Sequence, residues 1–155
     1  KEIHHEVELV LRISKNGKNI DEKFANKYYD SIGIGIDFTA RDLQKNCKEK
    51  GLPWEKAKAF DGSAPISEFI PITNLKSREK INFHLEINNK KVQRGTSENL
   101  IFSFDTIVSY VSKFITLKTG DLIFTGTPEG VWPIKIDDVL DAFLENEKML
   151  SVEVK

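Results

Sequence analysis

A single cysteine, Cys47, stands among the 155 residues, so no disulfide can close within the chain and a reducing compartment suits it. An excess of charge of one sign is missing too. The formal net charge is −1, which argues against nucleic acid or an anionic membrane as the main partner. No apolar run approaches the ~20 residues that cross a bilayer, and no signal-peptide pattern leads into the first strand-like segment. A cytoplasmic protein is expected, with neither a nucleic-acid nor a membrane partner. A P-loop, a dinucleotide fingerprint, paired cysteines at zinc spacing and a Ser/His/Asp arrangement are likewise absent. What is left, 39% hydrophobic and 30% charged residues, is globular composition and too apolar for disorder. One domain over residues 1–155 fits this length, burying ~70% of the unfolded surface.

Residues 6–13 alternate as a strand does. Val7, Leu9, Leu11 and Ile13 take one face, while Glu6, Glu8, Val10 and Arg12 take the other. "KNGKN" (15–19) marks a turn, and "DEKFANKYYD" (21–30) starts with acids and spaces Phe24 from Tyr28 as a short helix would. "SIGIGIDF" (31–38) predicts a buried strand whose glycines admit close backbone approach, with Asp37 at its end. Thr39 is a plausible N-cap and Gly51 a stop for a helix over 39–51, with Leu43 and Cys47 on its packing face. Residues 52–75 hold Pro53, Pro65 and Pro71 and fit no regular element; irregular stretches of that length often line a site. A hairpin around Asn88-Asn89 follows over 81–95. A helix over 103–121 carries Ile107, Val108, Val111, Phe114 and Ile115 on one stripe. "LIFTG", the "TPEG" turn and strands near 138–144 and 149–154 complete a β-rich α+β domain with a few short helices.

Glu6 and Glu8 point the same way because strand side chains alternate. Such a pair is usually a solvated face. Asp37 shifts the balance, since a carboxylate closing a buried strand needs a partner. Three carboxylates converging from two strands would form a hard-oxygen site for Mg²⁺, with Mn²⁺ or Ca²⁺ as alternatives. His4 and His5 face opposite ways and cannot both join that set, so at least one of them is expected to be merely exposed. The "TGTPEG" turn (125–130) offers backbone N–H groups, Gly126 among them, and the Thr127 hydroxyl, a combination suited to a carboxylate or oxyanion. On the residues alone a plain Gly-Pro hairpin turn is the favoured reading. Lys58 carries no signal by itself.

Four stretches taken in order, "IHHEVELVL", "GIDFTARDLQ", "PWEKAKAFDGSAPIS" and "GDLIFTGTPEGV", closely resemble the fumarylacetoacetate hydrolase family, and most of all its small acylpyruvate hydrolases. The resemblance implies a mixed β-roll, usually homodimeric. It assigns Glu6, Glu8 and Asp37 to a divalent cation, usually Mg²⁺. Lys58 and Thr127 become catalytic and substrate-binding, and Gln44 and Gly126 substrate-binding. Arg41 and Asp42 match the same motif as structural support. The implied substrate is a small β-diketo acid, cleaved at a carbon–carbon bond as fumarylpyruvate or acetylpyruvate would be. Oxaloacetate decarboxylation and isomerisation of a 2-hydroxyhepta-2,4-diene-1,7-dioate-type acid are the alternatives on the same fold. A metal- and carboxylate-binding module without catalysis is a third reading. The resemblance also implies a His/Glu general base on an amino-terminal lid, ahead of the "HHEVEL" motif. Either that lid lies outside this sequence, which is the expectation, or the chain lacks its base and cannot turn over efficiently.

Overall fold

The computed structural model describes residues 2–155; Lys1 lies outside the described residues. In chain order the strands and helices are β1 Ile3–His4, β2 Val7–Ile13, α1 Glu22–Ala25, β3 Tyr29–Ile36, β4 Thr39–Ala40 and α2 Arg41–Glu49. These are followed by β5 Ile70–Pro71, β6 Asn82–Ile87, β7 Lys90–Thr96, α3 Phe104–Phe114, β8 Leu122–Phe124, β9 Val139–Leu144 and β10 Glu147–Glu153. One sheet runs β5-β3-β2-β8, a second runs β10-β9-β6-β7, and β1 pairs with β4 as a small ribbon. The class is α+β, with several sheets and few, short helices.

The two larger sheets share one core. Val7, Leu9, Leu11 and Ile13 of β2 and Ile32, Ile34 and Ile36 of β3 cluster with Phe83 and Leu85 of β6 and Leu140, Ala142 and Leu144 of β9. Each such side chain stabilises the fold by ~1.5–3 kcal/mol when fully buried. The other face of β3 has glycine at 33 and 35, and there the absence of a side chain is used. A Cβ at Gly33 would lie 3.0 Å from Ser67 Oγ, and one at Gly35 would lie 2.7 Å from the Phe124 ring. The irregular segment 63–67 therefore lies directly along β3. Its carbonyls at Ser63 and Pro65 accept from the N–H groups of Phe38 and Ile36.

Several sequence expectations need correcting. The helix expected over 21–30 is one turn, Glu22–Ala25, because Tyr29 is drawn into β3 and buried, 4% exposed. Thr39 does not cap α2; it belongs to β4, pairs with His4, and Ala40 precedes the helix. α3 ends at Phe114, and Ile115 is extended. Its packed face is Phe104, Val108, Ser109 and Ser112, whereas Phe114 and Ile115 are exposed.

Candidate metal centre

The β2–β3 register builds the site. Val7 pairs with Ile36 and Glu8 with Gly35, and the Asp37 N–H donates to the Glu6 carbonyl at 2.8 Å. Glu6 and Asp37 therefore stand opposite one another, and residues directly across a ladder share a face. Glu8, two residues beyond Glu6, points to that face as well. One carboxylate oxygen from each of the three lies within 4.8 Å of the others. Acidic residues that look unrelated in sequence converge because of a single strand pairing.

Two cations flank the trio. The Lys58 Nζ donates to Glu6 Oε2 at 2.7 Å and to Asp37 Oδ2 at 2.5 Å, delivered by the single helical turn Glu55–Ala57. Arg41, first residue of α2, pairs with the other Glu6 oxygen and donates to Gln44 Oε1 at 2.8 Å. Burial pushes the Glu6 carboxyl up, but the hydrogen bonds from Lys58 and Arg41 outweigh it and hold the group below its ordinary range. At Asp37 burial prevails over Lys58 and the shift is upward. Burial works against the Lys58 ammonium, yet Asp37 and Glu6 prevail and hold it charged.

Glu8 differs from its neighbours. It is 5% exposed, forms no salt bridge among the described residues, and accepts from the Gly126 N–H at 2.6 Å. Burial, with the charges of Asp37 and Glu6 adding to it, pushes its carboxyl up to about 7. Three carboxylates meet two cationic side chains, and the shortfall falls on Glu8. A buried set of hard oxygen donors short of positive charge is the chemistry that Mg²⁺, Mn²⁺ or Ca²⁺ accepts. The residues present fit a divalent ion.

The sequence-assigned residues gather around this point. Glu6, Glu8 and Asp37 converge, Lys58 bonds to Glu6 and Asp37, and Gly126 reaches Glu8 through its N–H. Gln44 is buried and touches the cluster through Arg41. Thr127 sits half-buried on the same turn as Gly126, its hydroxyl oxygen accepting from Gln93 Nε2 at 2.9 Å. Arg41, read as structural support, is a direct partner of Glu6. Neither histidine matches the expectation of an exposed ring. His5 is fully buried, its Nδ1 2.8 Å from Gln93 Oε1, and His4 is partly buried with Nε2 2.7 Å from Glu2. Gln93 had no signal in the sequence: inside "KKVQRG" it looks like any polar residue of a hairpin.

Comparison with known proteins agrees with this architecture. The family model described as fumarylacetoacetate (FAA) hydrolase C-terminal matches residues 1–155. Oxaloacetate tautomerase FAHD1, mitochondrial, from Mus musculus is 43% identical over 155 residues, covering 100% of this chain and 70% of the relative. A protein named oxaloacetate decarboxylase, mitochondrial, from Dictyostelium discoideum is 40% identical over 139 residues, covering 90% of this chain and 64% of the relative. The crystal structure of fumarylpyruvate hydrolase from Pseudomonas aeruginosa, in complex with Mn²⁺ and pyruvate, superposes with a TM-score of 0.93 at 38% identity, covering 99% of this chain and 66% of that one.

Proposed function

The chain belongs to the fumarylacetoacetate hydrolase family, and from that premise we propose that it acts on oxaloacetate or a close 2-oxo dicarboxylic acid with a divalent metal ion. The reaction proposed is interconversion of keto and enol forms, with decarboxylation as the related outcome on the same substrate. The observation that carries metal-dependent chemistry is the convergence of Glu6, Glu8 and Asp37 within 4.8 Å. The likeness to the mouse tautomerase over the full chain supports the choice of substrate. Acylpyruvate hydrolysis, the leading expectation from sequence, becomes the second reading. The likeness to the Pseudomonas aeruginosa hydrolase supports it.

A Mg²⁺ or Mn²⁺ ion held by Glu6, Glu8 and Asp37 would supply Lewis acidity toward a 2-oxo carboxylate. The side chains around it do the rest. In enolisation the bond from carbon 3 to hydrogen breaks, its electron pair becomes the carbon–carbon double bond, and the carbonyl oxygen gains negative charge and then a proton. Lys58, held protonated by Asp37 and Glu6, meets that developing charge as a cation and hydrogen-bond donor; it is not the base. Thr127 holds the substrate's carboxylate from the turn; Gly126, expected to share that role, gives its one N–H to Glu8. Gln44, its carbonyl oxygen taken by Arg41, offers its N–H₂ group. The carbon-bound proton passes to a base on the amino-terminal lid that the resemblance implies, ahead of the catalytic domain proposed here.

No helix among the described residues is long and apolar enough to cross a membrane. A cytoplasmic location is proposed from the lone free cysteine; two relatives carry "mitochondrial" in their names. The test uses the full-length natural protein with Mg²⁺ or Mn²⁺. Loss of the enol absorbance of fresh oxaloacetate, release of pyruvate from it, and loss of the acetylpyruvate diketone absorbance are followed in parallel. Acceleration of the first is expected. A protein that speeds only acetylpyruvate cleavage belongs to the second reading, and one that speeds none of the three is not the proposed enzyme.

A further inference from the structure

Gln93 links the parts of the site, and the mechanism above does not use it. In the β6–β7 pairing it stands opposite Leu85, which lies in the core, so its side chain enters the interior and is 2% exposed. Its Oε1 accepts from the Val7 backbone N–H at 3.0 Å and meets His5 Nδ1 at 2.8 Å. Its Nε2 donates to Thr127 Oγ1 at 2.9 Å and to the Pro128 carbonyl at 3.0 Å. One amide thus ties the strand bearing Glu6 and Glu8 to the turn bearing Gly126 and Thr127.

The amide has one possible orientation. A backbone N–H can only donate and a carbonyl can only accept, so Oε1 faces Val7 and Nε2 faces Pro128. Two consequences follow from donor counting. His5 carries its proton on Nδ1, because Oε1 has none to give. Thr127 Oγ1 receives a hydrogen bond, which leaves its own hydroxyl proton to be donated elsewhere. Thr127 is half-buried, and the residue before it touches Glu8. We infer that Gln93 is a positioning residue that commits the Thr127 hydroxyl to donate toward a carboxylate or enolate oxygen of a keto acid bound at the carboxylate trio. Glutamate at 93 would fill the same space but present lone pairs to Thr127, turning its proton inward and away from substrate.

The inference rests on the keto-acid reading, and the probe separates the two. Oxalate, a small dicarboxylate that does not turn over, is titrated into the full-length protein with Mn²⁺ present, and Mn²⁺ is titrated alone. The four proteins are wild type, Gln93→Met, Thr127→Val and the double variant. Wild type that does not bind oxalate sinks the keto-acid reading, and this inference with it. Where wild type binds, each single variant is expected to bind oxalate about tenfold more weakly, the size of one hydrogen bond to a charged group. The double variant is expected to be no weaker than either single, because Gln93 acts through Thr127. Losses that add, Gln93→Met binding like wild type, or a fall in Mn²⁺ affinity as large as that for oxalate would each make Gln93 merely structural. If Gln93→Met gives no cooperative melt, Gln93→Glu replaces it. That variant keeps the acceptor for Val7 and His5, and its effect is expected to vanish in the Thr127→Val background; an equal effect in both backgrounds overturns the inference.

Discussion

Glu6 and Asp37 each have Lys58 within hydrogen-bond reach, and Glu6 has Arg41 as well. Glu8 has only the partial charge of the Gly126 amide. Its carboxylate is therefore the one whose repulsion a divalent ion would relieve most, and the residue where substitution separates metal binding from folding. Glu8→Gln keeps the shape and can still accept from Gly126, while removing one buried negative charge. The metal-free variant is expected to melt at or above the wild-type temperature. Added Mg²⁺ at about one hundred times its dissociation constant stabilises a binding protein by about 2.7 kcal/mol, and most of that gain is expected to disappear in the variant. Thermal melts with chelator and with Mg²⁺ measure both quantities. An equal Mg²⁺-dependent rise in the two proteins would remove Glu8 from the ligand set.

Among the elements, the 125–130 turn is held more tightly than its sequence suggests. Thr125 anchors to the Leu9 carbonyl through both its N–H and its hydroxyl, and Gly130 closes the turn at φ 97°. A Cβ at Gly130 would lie 2.5 Å from the Val92 carbonyl oxygen, a backbone atom that cannot step aside. Gly130→Ala is expected to cost about 2–3 kcal/mol, from left-handed strain together with the clash, and to weaken keto-acid binding because Thr127 moves with the turn. Denaturant melts and the oxalate titration check the two halves. A second prediction belongs to β6, where the His84 ring stacks on Phe143 with centroids 4.5 Å apart and planes 2° from parallel. Burial, with help from Lys91, holds the imidazole below its ordinary 6.5 against the opposing pull of Glu86. The unfolded chain therefore takes up this proton at a higher pH than the folded one. Stability from the neutral ring is present above pH 6.5 and is lost as pH falls below it. His84→Phe keeps a stacked ring that cannot titrate, so its stability relative to wild type should rise between pH 7 and pH 5; a difference that falls over that range would contradict the assignment. Much of this was legible beforehand. Alternation at 6–13 revealed β2 and both glutamates, and the glycines of "GIGI" announced a strand that another segment must cross. The rest was hidden for physical reasons. That Glu6 opposes Asp37 is a matter of register, which sequence patterns leave open. Gln93 is defined by bonds to residues far from it in the chain, and Tyr28-Tyr29 looked helical until β3 offered Tyr29 a buried place.

At the level of the whole molecule, the core is closed around two sheets, but a different surface stays apolar. Ile101 is 91% exposed, and Phe102, Tyr110, Phe114 and Ile115 are each at least 60% exposed, all on α3 or the residues flanking it. Tyr110 and Phe114 pack together with ring centroids 5.2 Å apart. Surface hydrophobics scattered singly need no explanation, but several on one short stretch mark a contact surface. We propose that this face joins two copies in the homodimer that the family resemblance implies, a two-fold contact of one surface with itself. The carboxylate trio lies at the start of β2 and just past β3, and α3 contributes none of its residues; Ile101 and Phe102 line one cavity with Gly126 and Thr127, so Phe114 is where assembly is tested apart from the site. Phe114→Asp adds charge at an exposed position outside the core and is expected to leave the folded protomer and its Mg²⁺-dependent melting shift intact. In light scattering after size-exclusion chromatography, the wild type is expected at twice the protomer mass and Phe114→Asp, combined with Ile115→Asp if needed, at the protomer mass. A dimer that survives both substitutions would place the contact on another face, and a monomeric wild type would leave the apolar stretch to a partner of a different kind.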